Sequence, residues 1–142
     1  MAFQGTFDFT LDAKNRLTIP AKLRAAFADG VVLAAGLEPC VAVWRPADYD
    51  EWREQALAGH NRLSPRYRDL KRYLSAHAQP LELDGAGRVM LPPFLMAHAG
   101  LGRDVALLGA DECLEIWDRA RWAEHSRQVT ANIADIAAGL GG

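Results

Sequence analysis

The sequence predicts an α+β fold: mostly β structure with flanking helices, built from two copies of one unit whose hairpins interlock into a closed β-barrel. One observation is an internal repeat, because the frame Asp-x-x-x-Arg-x-x-x-Pro occurs at 12–20 and again at 84–92. Another is the period-two alternation of aromatic and polar residues in 5–11, followed by turn residues, which is typical of a β-hairpin.

The repeat extends well beyond this frame. At an offset of 72 residues, six positions of the first copy are identical in the second. After one inserted residue, three more positions match at an offset of 73. Nine identities in one order indicate a duplicated unit of about 45 residues, which is a length typical of internal repeats.

Each copy predicts a hairpin, a short helix and a second hairpin. The first turn spans 12–15, and Asn15 occupies the position that Gly87 occupies in the second copy; both residue types tolerate a positive φ. Pro20 and Pro92 end the return strands and suit the first turn of a helix. The later predicted strands lie near 31–35, 40–44, 104–109 and 113–117.

A four-stranded unit of this size cannot pair all its edges, whereas two copies can complete each other. This is a physical reason for the duplication. The predicted organisation is a first repeat at 5–52, a helical connection at 53–78, a second repeat at 79–122, and a C-terminal helix with a frayed tail at 123–142.

Three further helices are predicted. One begins at Pro46, and the next begins after Ser64, which is a suitable N-cap because its side chain can accept a backbone hydrogen bond. The last follows Asp118 and carries a seam that could pack on the core or against a neighbouring subunit. The seam consists of Trp122, Ser126, Val129, Ile133 and Ile136.

Charge and composition limit the function classes. The net charge is −2, but residues 1–78 carry +2 and residues 79–142 carry −4, so we expect the halves to face different partners. No apolar run is long enough to cross a membrane and the start of the chain lacks an export signal, so we expect a cytoplasmic protein. Phosphate-cradling glycine loops and HExxH or GxSxG motifs are absent, so an enzyme is not expected.

The cysteines and histidines predict no metal or cofactor. Cys40 and Cys113 stand in apolar surroundings and are interpreted as buried small hydrophobes, with a regulatory thiol pair as the alternative. The four histidines share no metal-ligand spacing. The tryptophans are interpreted as core or interface anchors. These are Trp44, Trp52, Trp117 and Trp122.

The segments FQGTFDFTLDAKNRLTIPAKLR and LELDGAGRVMLPPFL, with VAVWRPADYDEW and LEIWDRARW, resemble the MraZ family of bacterial transcriptional regulators. The resemblance covers almost the whole chain. It implies a tandem swapped-hairpin barrel of the AbrB/SpoVT type that assembles into a ring, here a homo-oligomer of eight or more subunits. It also implies binding to double-stranded DNA at promoters with G-rich direct repeats. The expected role is repression of the division and cell-wall gene cluster to which the protein's own gene belongs, and the expected location is the nucleoid. No membrane or small-molecule substrate is implied.

The resemblance places the DNA contacts in the first hairpin, at Lys14 and Arg16. Arginine is the natural reader of guanine, and lysine suits phosphate. Neighbouring residues are expected to assist, namely Asn15, Lys22 and Arg24. The chain departs from the family pattern at Asn15, where glycine is common. It departs again in the second loop, DGAGR, which lacks a Lys or Gln beside the motif.

Alternatives remain open at the sequence level. Arg16 and Arg88 could simply pair with Asp12 and Asp84 and hold the hairpins, with both aspartates acting as turn formers. The basic helix at 62–72 could be a solvated face or a contact surface. The main rival function is a protein-interaction module, since related barrels in antitoxins bind a partner protein.

Overall fold

A computed structural model of the chain describes residues 2–140. The strands in this range are β1 Thr6–Thr10, β2 Arg16–Thr18, β3 Val31–Ala35, β4 Val41–Trp44, β5 Ala78–Leu81, β6 Arg88–Met90, β7 Asp104–Gly109 and β8 Leu114–Asp118. The helices are a 3-10 helix Ala21–Phe27, α1 Pro46–Leu57, α2 Pro65–Ala76, α3 Pro93–Ala99, α4 Arg119–Ala131 and α5 Ile133–Leu140. The order of elements repeats once, so the duplication seen in the sequence is also a structural one.

Six strands form one antiparallel sheet in the order β1-β7-β8-β4-β3-β5. The centre of the sheet is the β4–β8 pair, in which Ala42 lies opposite Glu115. Each half of the sheet contains the second hairpin of one repeat and, at its edge, the first strand of the other repeat. The sheet therefore has an approximate twofold symmetry that follows from the duplication.

The interlocking of the repeats is confirmed by the strand pairing. β1 pairs with β7 and β5 pairs with β3, so the first strand of each repeat joins the second hairpin of the other. β2 pairs with β6 and forms a separate two-stranded sheet. The α+β fold class is as predicted, but the hydrogen bonding does not close a barrel. β2 and β6 are three residues long, and Pro20 and Pro92 soon follow them, so they do not bridge the open edges at β1 and β5.

The main core lies between one face of the six-stranded sheet and the β2–β6 pair. Large apolar side chains from both repeats fill it and are almost without exposure. They include Leu11, Leu17, Ile19, Leu33, Val43, Val89, Leu91, Leu95, Leu107 and Ile116. Since neither repeat alone supplies both walls of this core, the two copies form one folding unit.

The opposite face of the sheet carries α1 and α4. Tyr49 of α1 packs on Trp44, with ring centroids 5.6 Å apart, and its hydroxyl donates to the backbone oxygen of Leu74, 2.5 Å away, in α2. On the other side Trp122 of α4 packs on Trp117, with centroids 5.2 Å apart. Trp44 and Trp117 are buried on this face, and Trp52 and Trp122 are half-buried and pack against them, which agrees with the predicted role as anchors.

The helix starts follow the predicted caps. Ser64 Oγ accepts the backbone N–H of Arg66, and Asp118 Oδ2 accepts that of Arg121. None of the helices within residues 2–140 is long and apolar enough to cross a membrane.

The C-terminal helix differs from the sequence prediction. A continuous helix with one apolar seam was expected, but Asn132 separates α4 from α5. Its φ of −113° and ψ of 11° lie outside the helical range, and its side-chain amide donates to the backbone oxygen of Gln128. The expected frayed tail is helical as far as Leu140, and residues 141–142 lie outside the described range.

Candidate nucleic-acid interface

The β2–β6 pair is a two-stranded antiparallel ribbon with one strand from each repeat. Its register contains three pairs: Arg16 with Met90, Leu17 with Val89, and Thr18 with Arg88. Leu17 and Val89 are buried in the core, so strand alternation places the other four side chains on the opposite surface. We call that surface, formed by Arg16, Thr18, Arg88 and Met90, the ribbon face.

The first turn is shaped by Asp12. Its Oδ1 accepts the backbone N–H groups of Lys14 and Arg16, both at 2.9 Å. Its Oδ2 accepts from Arg16 Nε at 2.7 Å. Asn15 takes a φ of 57°, in the left-handed region that asparagine tolerates. One carboxylate thus closes the turn and holds the arginine.

The second turn repeats this geometry. Asp84 Oδ1 accepts the backbone N–H groups of Ala86 at 3.0 Å and Arg88 at 2.9 Å, and Oδ2 accepts from Arg88 Nε at 2.8 Å. The hydrogen bond from the Arg88 N–H lowers the pKa of the Asp84 carboxyl. The equivalent bond from Arg16 lowers the pKa of Asp12. Both aspartates are therefore held as carboxylates beside their arginines.

Each turn is also tied to the opposite repeat. The backbone oxygen of Asn15 accepts the N–H of Leu91, and that of Gly87 accepts the N–H of Ile19, both at 2.9 Å. These two bonds lie at opposite ends of the ribbon. The turns and the ribbon therefore form one rigid element in which both arginines are diagonal neighbours on one face.

The arginine head groups are partly accessible. The side chain of Arg16 is 24% exposed and that of Arg88 is 36% exposed. Within residues 2–140 their side-chain hydrogen bonds run through Nε, so both terminal nitrogens of each guanidinium are left for a ligand. The ion pairs considered as an alternative are thus present, and they leave the planar fork unoccupied.

The other predicted contact residues lie in different surroundings. Lys14 and Asn15 are exposed at the tip of the first turn. Lys22 is exposed, and its Nζ lies 4.8 Å from the centroid of the Phe7 ring. Arg24 is half-buried and its Nε donates to the Ile19 backbone oxygen at 2.9 Å. Arg24 is thus partly used in holding the ribbon.

The two repeats differ in the basic residues that accompany their arginines. At the positions equivalent to Lys14, Lys22 and Arg24, the second repeat has apolar residues, namely Ala86, Phe94 and Met96. The arginines are therefore duplicated but their basic neighbours are not. The lack of a lysine in the second loop is visible in the sequence, but the position of Arg88 on the same face as Arg16 is not, because it depends on the register between β2 and β6.

A second group of polar side chains lies on the other face of the sheet. Glu38, Cys40 and Glu115 place one ligand atom each within 4.8 Å of one another. Burial raises the pKa of the Glu115 carboxyl. The hydrogen bond that Trp117 Nε1 donates to Oε1, at 3.0 Å, acts in the opposite direction and lowers this pKa. Sequence reasoning missed this group, because its members are 2 and 75 residues apart and combine residue types without a known spacing.

The two cysteines are free and buried. Cys40 packs in one cluster with Trp117, and Cys113 packs in another with Trp44. Burial raises the pKa of the Cys113 thiol to about 12 and that of Cys40 above its usual range. Reactive thiols need a lowered pKa and access, so this geometry does not favour a regulatory thiol pair.

Comparison with known proteins agrees with the duplicated fold. The family described as "MraZ protein, putative antitoxin-like" matches residues 2–72 and 74–140. A protein named transcriptional regulator MraZ from Treponema pallidum (strain Nichols) is 40% identical over 139 residues, which are 97% of this chain and 91% of the relative.

Two further relatives carry the same name. That of Symbiobacterium thermophilum is 36% identical over 137 residues, which are 96% of this chain and 99% of the relative. That of Paenarthrobacter aurescens (strain TC1) is 37% identical over 137 residues, which are 94% of this chain and 92% of the relative. With both repeats matched and this identity over nearly the full length, the chain belongs to the MraZ family.

Proposed function

We propose that the chain is a sequence-specific DNA-binding transcriptional regulator that reads the major groove with its ribbon face. The observation that carries the proposal is the pair of aspartate-held arginines, Arg16 and Arg88, on one outward face of a two-stranded ribbon. A two-stranded β-ribbon fits the major groove of B-DNA. The names of the relatives agree with this function.

The chemistry of the face favours guanine. A guanidinium can donate two parallel hydrogen bonds to O6 and N7 of guanine, which gives about 1–3 kcal/mol of discrimination per good pair. Because Asp12 and Asp84 already hold Nε, the arginines lose less conformational freedom on binding than unsupported side chains would. Two arginines on one face therefore support a preference for G-rich sites.

Lys14 and Lys22 would act on the DNA backbone. Both are exposed and belong to the first repeat, Lys14 at the tip of the first turn and Lys22 in the 3-10 helix that follows β2. Lysine contacts to phosphate position the protein without specifying sequence, and each contact contributes about 0.9 to the salt slope of the binding constant. Arg24 lies beside Gly87 of the second turn, and its terminal nitrogens would contact the DNA backbone at that end of the ribbon. The modest net charge is compatible with DNA binding, because only the surface that faces the DNA needs to be positive.

The proposal includes assembly into a closed ring of eight or more subunits. A single ribbon of three-residue strands offers little contact area, whereas linked copies on direct repeats gain about 10²–10⁴-fold through effective concentration. The exposed apolar residues of α5 support an assembly surface, since Ile133 and Leu140 are 53% and 85% exposed. In this proposal the ring represses transcription of the division and cell-wall gene cluster to which its own gene belongs. It acts in the cytoplasm, at the nucleoid, and has no enzymatic activity.

The test is a mobility-shift titration with a promoter fragment that carries G-rich direct repeats. We expect Arg16→Ala to weaken binding by roughly 5- to 150-fold, the equivalent of 1–3 kcal/mol. Arg88→Ala should weaken it less, because the second turn, DGAGR, carries no lysine beside its arginine. Lys14→Ala should reduce the salt slope by about one. Arg53→Ala, which removes a charge from α1 on the face of the sheet opposite the ribbon, is the matched control.

Two results would contradict the proposal. Arg16→Ala binding as tightly as the unmodified chain would exclude the ribbon face as the reader. A strict monomer at micromolar concentration in mass photometry would exclude the ring. Failure to bind any DNA, together with capture of a defined protein partner, would favour the rival function as a protein-interaction module.

A further inference from the structure

We propose that Glu38, Cys40 and Glu115 form a binding site for a divalent transition-metal ion, with Zn²⁺ as the ion that fits best. The site lies on the face of the sheet opposite the ribbon, so it is separate from the proposed DNA contact. It joins the two repeats, since Glu38 and Cys40 belong to the first and Glu115 to the second.

The fold brings these three residues together through strand register. Ala42 lies opposite Glu115 in the β4–β8 pair, and Cys40 stands two positions before Ala42, so both side chains point to the same face. Glu38 reaches the site from the loop between β3 and β4. The Cys40 Sγ and one carboxylate oxygen from each glutamate lie within 4.8 Å of one another.

The thiol is the observation that points to a ligand. Cys40 has no exposed surface, and within residues 2–140 its Sγ makes no hydrogen bond. Its Sγ lies within 4.8 Å of one carboxylate oxygen from each glutamate, and neither carboxylate forms an ion pair with a described lysine or arginine. A buried thiol without a hydrogen bond lies here beside two acidic side chains, of which Glu38 is exposed and Glu115 is half-buried, and this arrangement suits a cation that enters from solvent.

The surroundings fix the ligands in place. Trp117 Nε1 donates to Glu115 Oε1 at 3.0 Å, which orients the carboxylate and leaves Oε2 available. His98 Nε2 lies 2.9 Å from the backbone oxygen of Gly36 and so secures the loop that carries Glu38. A Cβ at Gly36 would lie 2.4 Å from the Cys40 Sγ, so the glycine leaves room for the thiol in this position. These contacts support the site from both repeats.

The donor set selects the ion. One thiolate sulfur with carboxylate oxygens suits Zn²⁺, which binds sulfur at about 2.3 Å and carboxylate oxygen at about 2.0–2.2 Å. Those bond lengths place tetrahedral ligand atoms roughly 3.3–3.7 Å apart, which small side-chain rotations reach from the observed spacing. Mg²⁺ and Ca²⁺ prefer oxygen ligands alone. The ion takes the place of the thiol proton, which passes to solvent, and a water completes the coordination.

The test uses the full chain, stripped of metal with a chelator and then titrated with Co²⁺ or Zn²⁺. We expect one Co²⁺ per chain with a near-ultraviolet sulfur-to-cobalt charge-transfer band, which reports the thiolate directly. Zn²⁺ should displace the Co²⁺ and raise the unfolding temperature. Cys40→Ser should abolish the band, and Glu115→Gln should weaken Zn²⁺ binding at least tenfold.

The second repeat provides a matched control. Cys113 occupies the equivalent position, is also buried beside a tryptophan, and is not part of the ligand group. Cys113→Ser should therefore keep the band and the Zn²⁺ affinity. The proposal is overturned if Co²⁺ gives no thiolate band, if Cys40→Ser binds Zn²⁺ as the parent does, or if both cysteine variants lose binding equally. Should Cys40→Ser fail to fold, Glu38→Gln replaces it as the test, because Glu38 is exposed. It should weaken Zn²⁺ binding at least tenfold, and an unchanged affinity would overturn the proposal.

Discussion

Gly87→Ala provides a sharp test of how the two repeats hold each other. Gly87 has a φ of 76°, and its backbone oxygen accepts the N–H of Ile19 from the other repeat. A Cβ at this position would lie 2.2 Å from Arg24 Nε and 2.6 Å from Arg24 Cδ. The substitution therefore strains the backbone and displaces a side chain that is itself hydrogen-bonded to Ile19.

The loss of unfolding free energy caused by Gly87→Ala is the sum of three contributions. An alanine in the left-handed region costs about 1–2 kcal/mol. Moving Arg24 away breaks its hydrogen bond to Ile19, which costs about 1 kcal/mol. The reduced entropy of the unfolded chain returns about 0.4–1 kcal/mol. The net loss of unfolding free energy is about 2 kcal/mol, which lowers the unfolding temperature by roughly 6 °C for a chain of this size.

The assay is urea or thermal unfolding followed by circular dichroism. Gly85→Ala is the matched control, because Gly85 lies in the same turn, has no positive φ, and has open space at its Cβ position. It should change stability by less than about 0.5 kcal/mol. In an Arg24→Ala background the cost of Gly87→Ala should fall to the backbone part, about 1 kcal/mol.

Two outcomes would refute this reasoning. Equal costs for Gly87→Ala and Gly85→Ala would show that neither the positive φ nor the close approach of Arg24 matters. An unchanged cost of Gly87→Ala in the Arg24→Ala background would show that the arginine contributes nothing to it.

Two further predictions concern charge and hydrogen bonding. The pKa of Asp12 is lowered from 3.8 in the folded chain, so its contribution to stability is present above that pH and is lost as the pH falls through the lower folded value. Asp12→Asn should therefore flatten the acid limb of a stability–pH curve, and adding Asp84→Asn should flatten it further; an unchanged limb in the double variant would contradict this. Tyr49→Phe should cost about 1 kcal/mol in unfolding free energy, because it removes the hydrogen bond to Leu74, while a cost near zero would show that the bond contributes little.

Local features of the fold were readable from the sequence, because local chemistry decides them. Pro20 and Pro92 end the return strands, and Ser64 and Asp118 start helices through side-chain caps. The strands near 31–35 and 104–109 appear at those residues. The end of α4 was not predicted, because an apolar seam continues past Asn132 although the backbone does not.

In the candidate sites, too, the features set by neighbouring residues were predictable from the sequence and those set by strand pairing were not. The Asp-x-x-x-Arg frame marked Arg16 and Arg88, since both a turn and an arginine four residues later are local patterns. Their common face was not predictable, because it depends on the register in which β2 pairs with β6, and no local pattern sets that register. The approach of Cys40 to Glu115 depends on the β4–β8 register and has no local signal.

The sequence by itself determined the repeated unit, its turns and its helix starts, because these depend on neighbours within a few residues along the chain. Only the tertiary structure decided which strand each of these units pairs with. A strand exposes the same hydrogen-bonding groups to any partner, so the choice is made by the apolar side chains that both repeats must bury together. That choice leaves the sheet open, sets two arginines side by side on one surface, and brings three potential metal ligands together on the other.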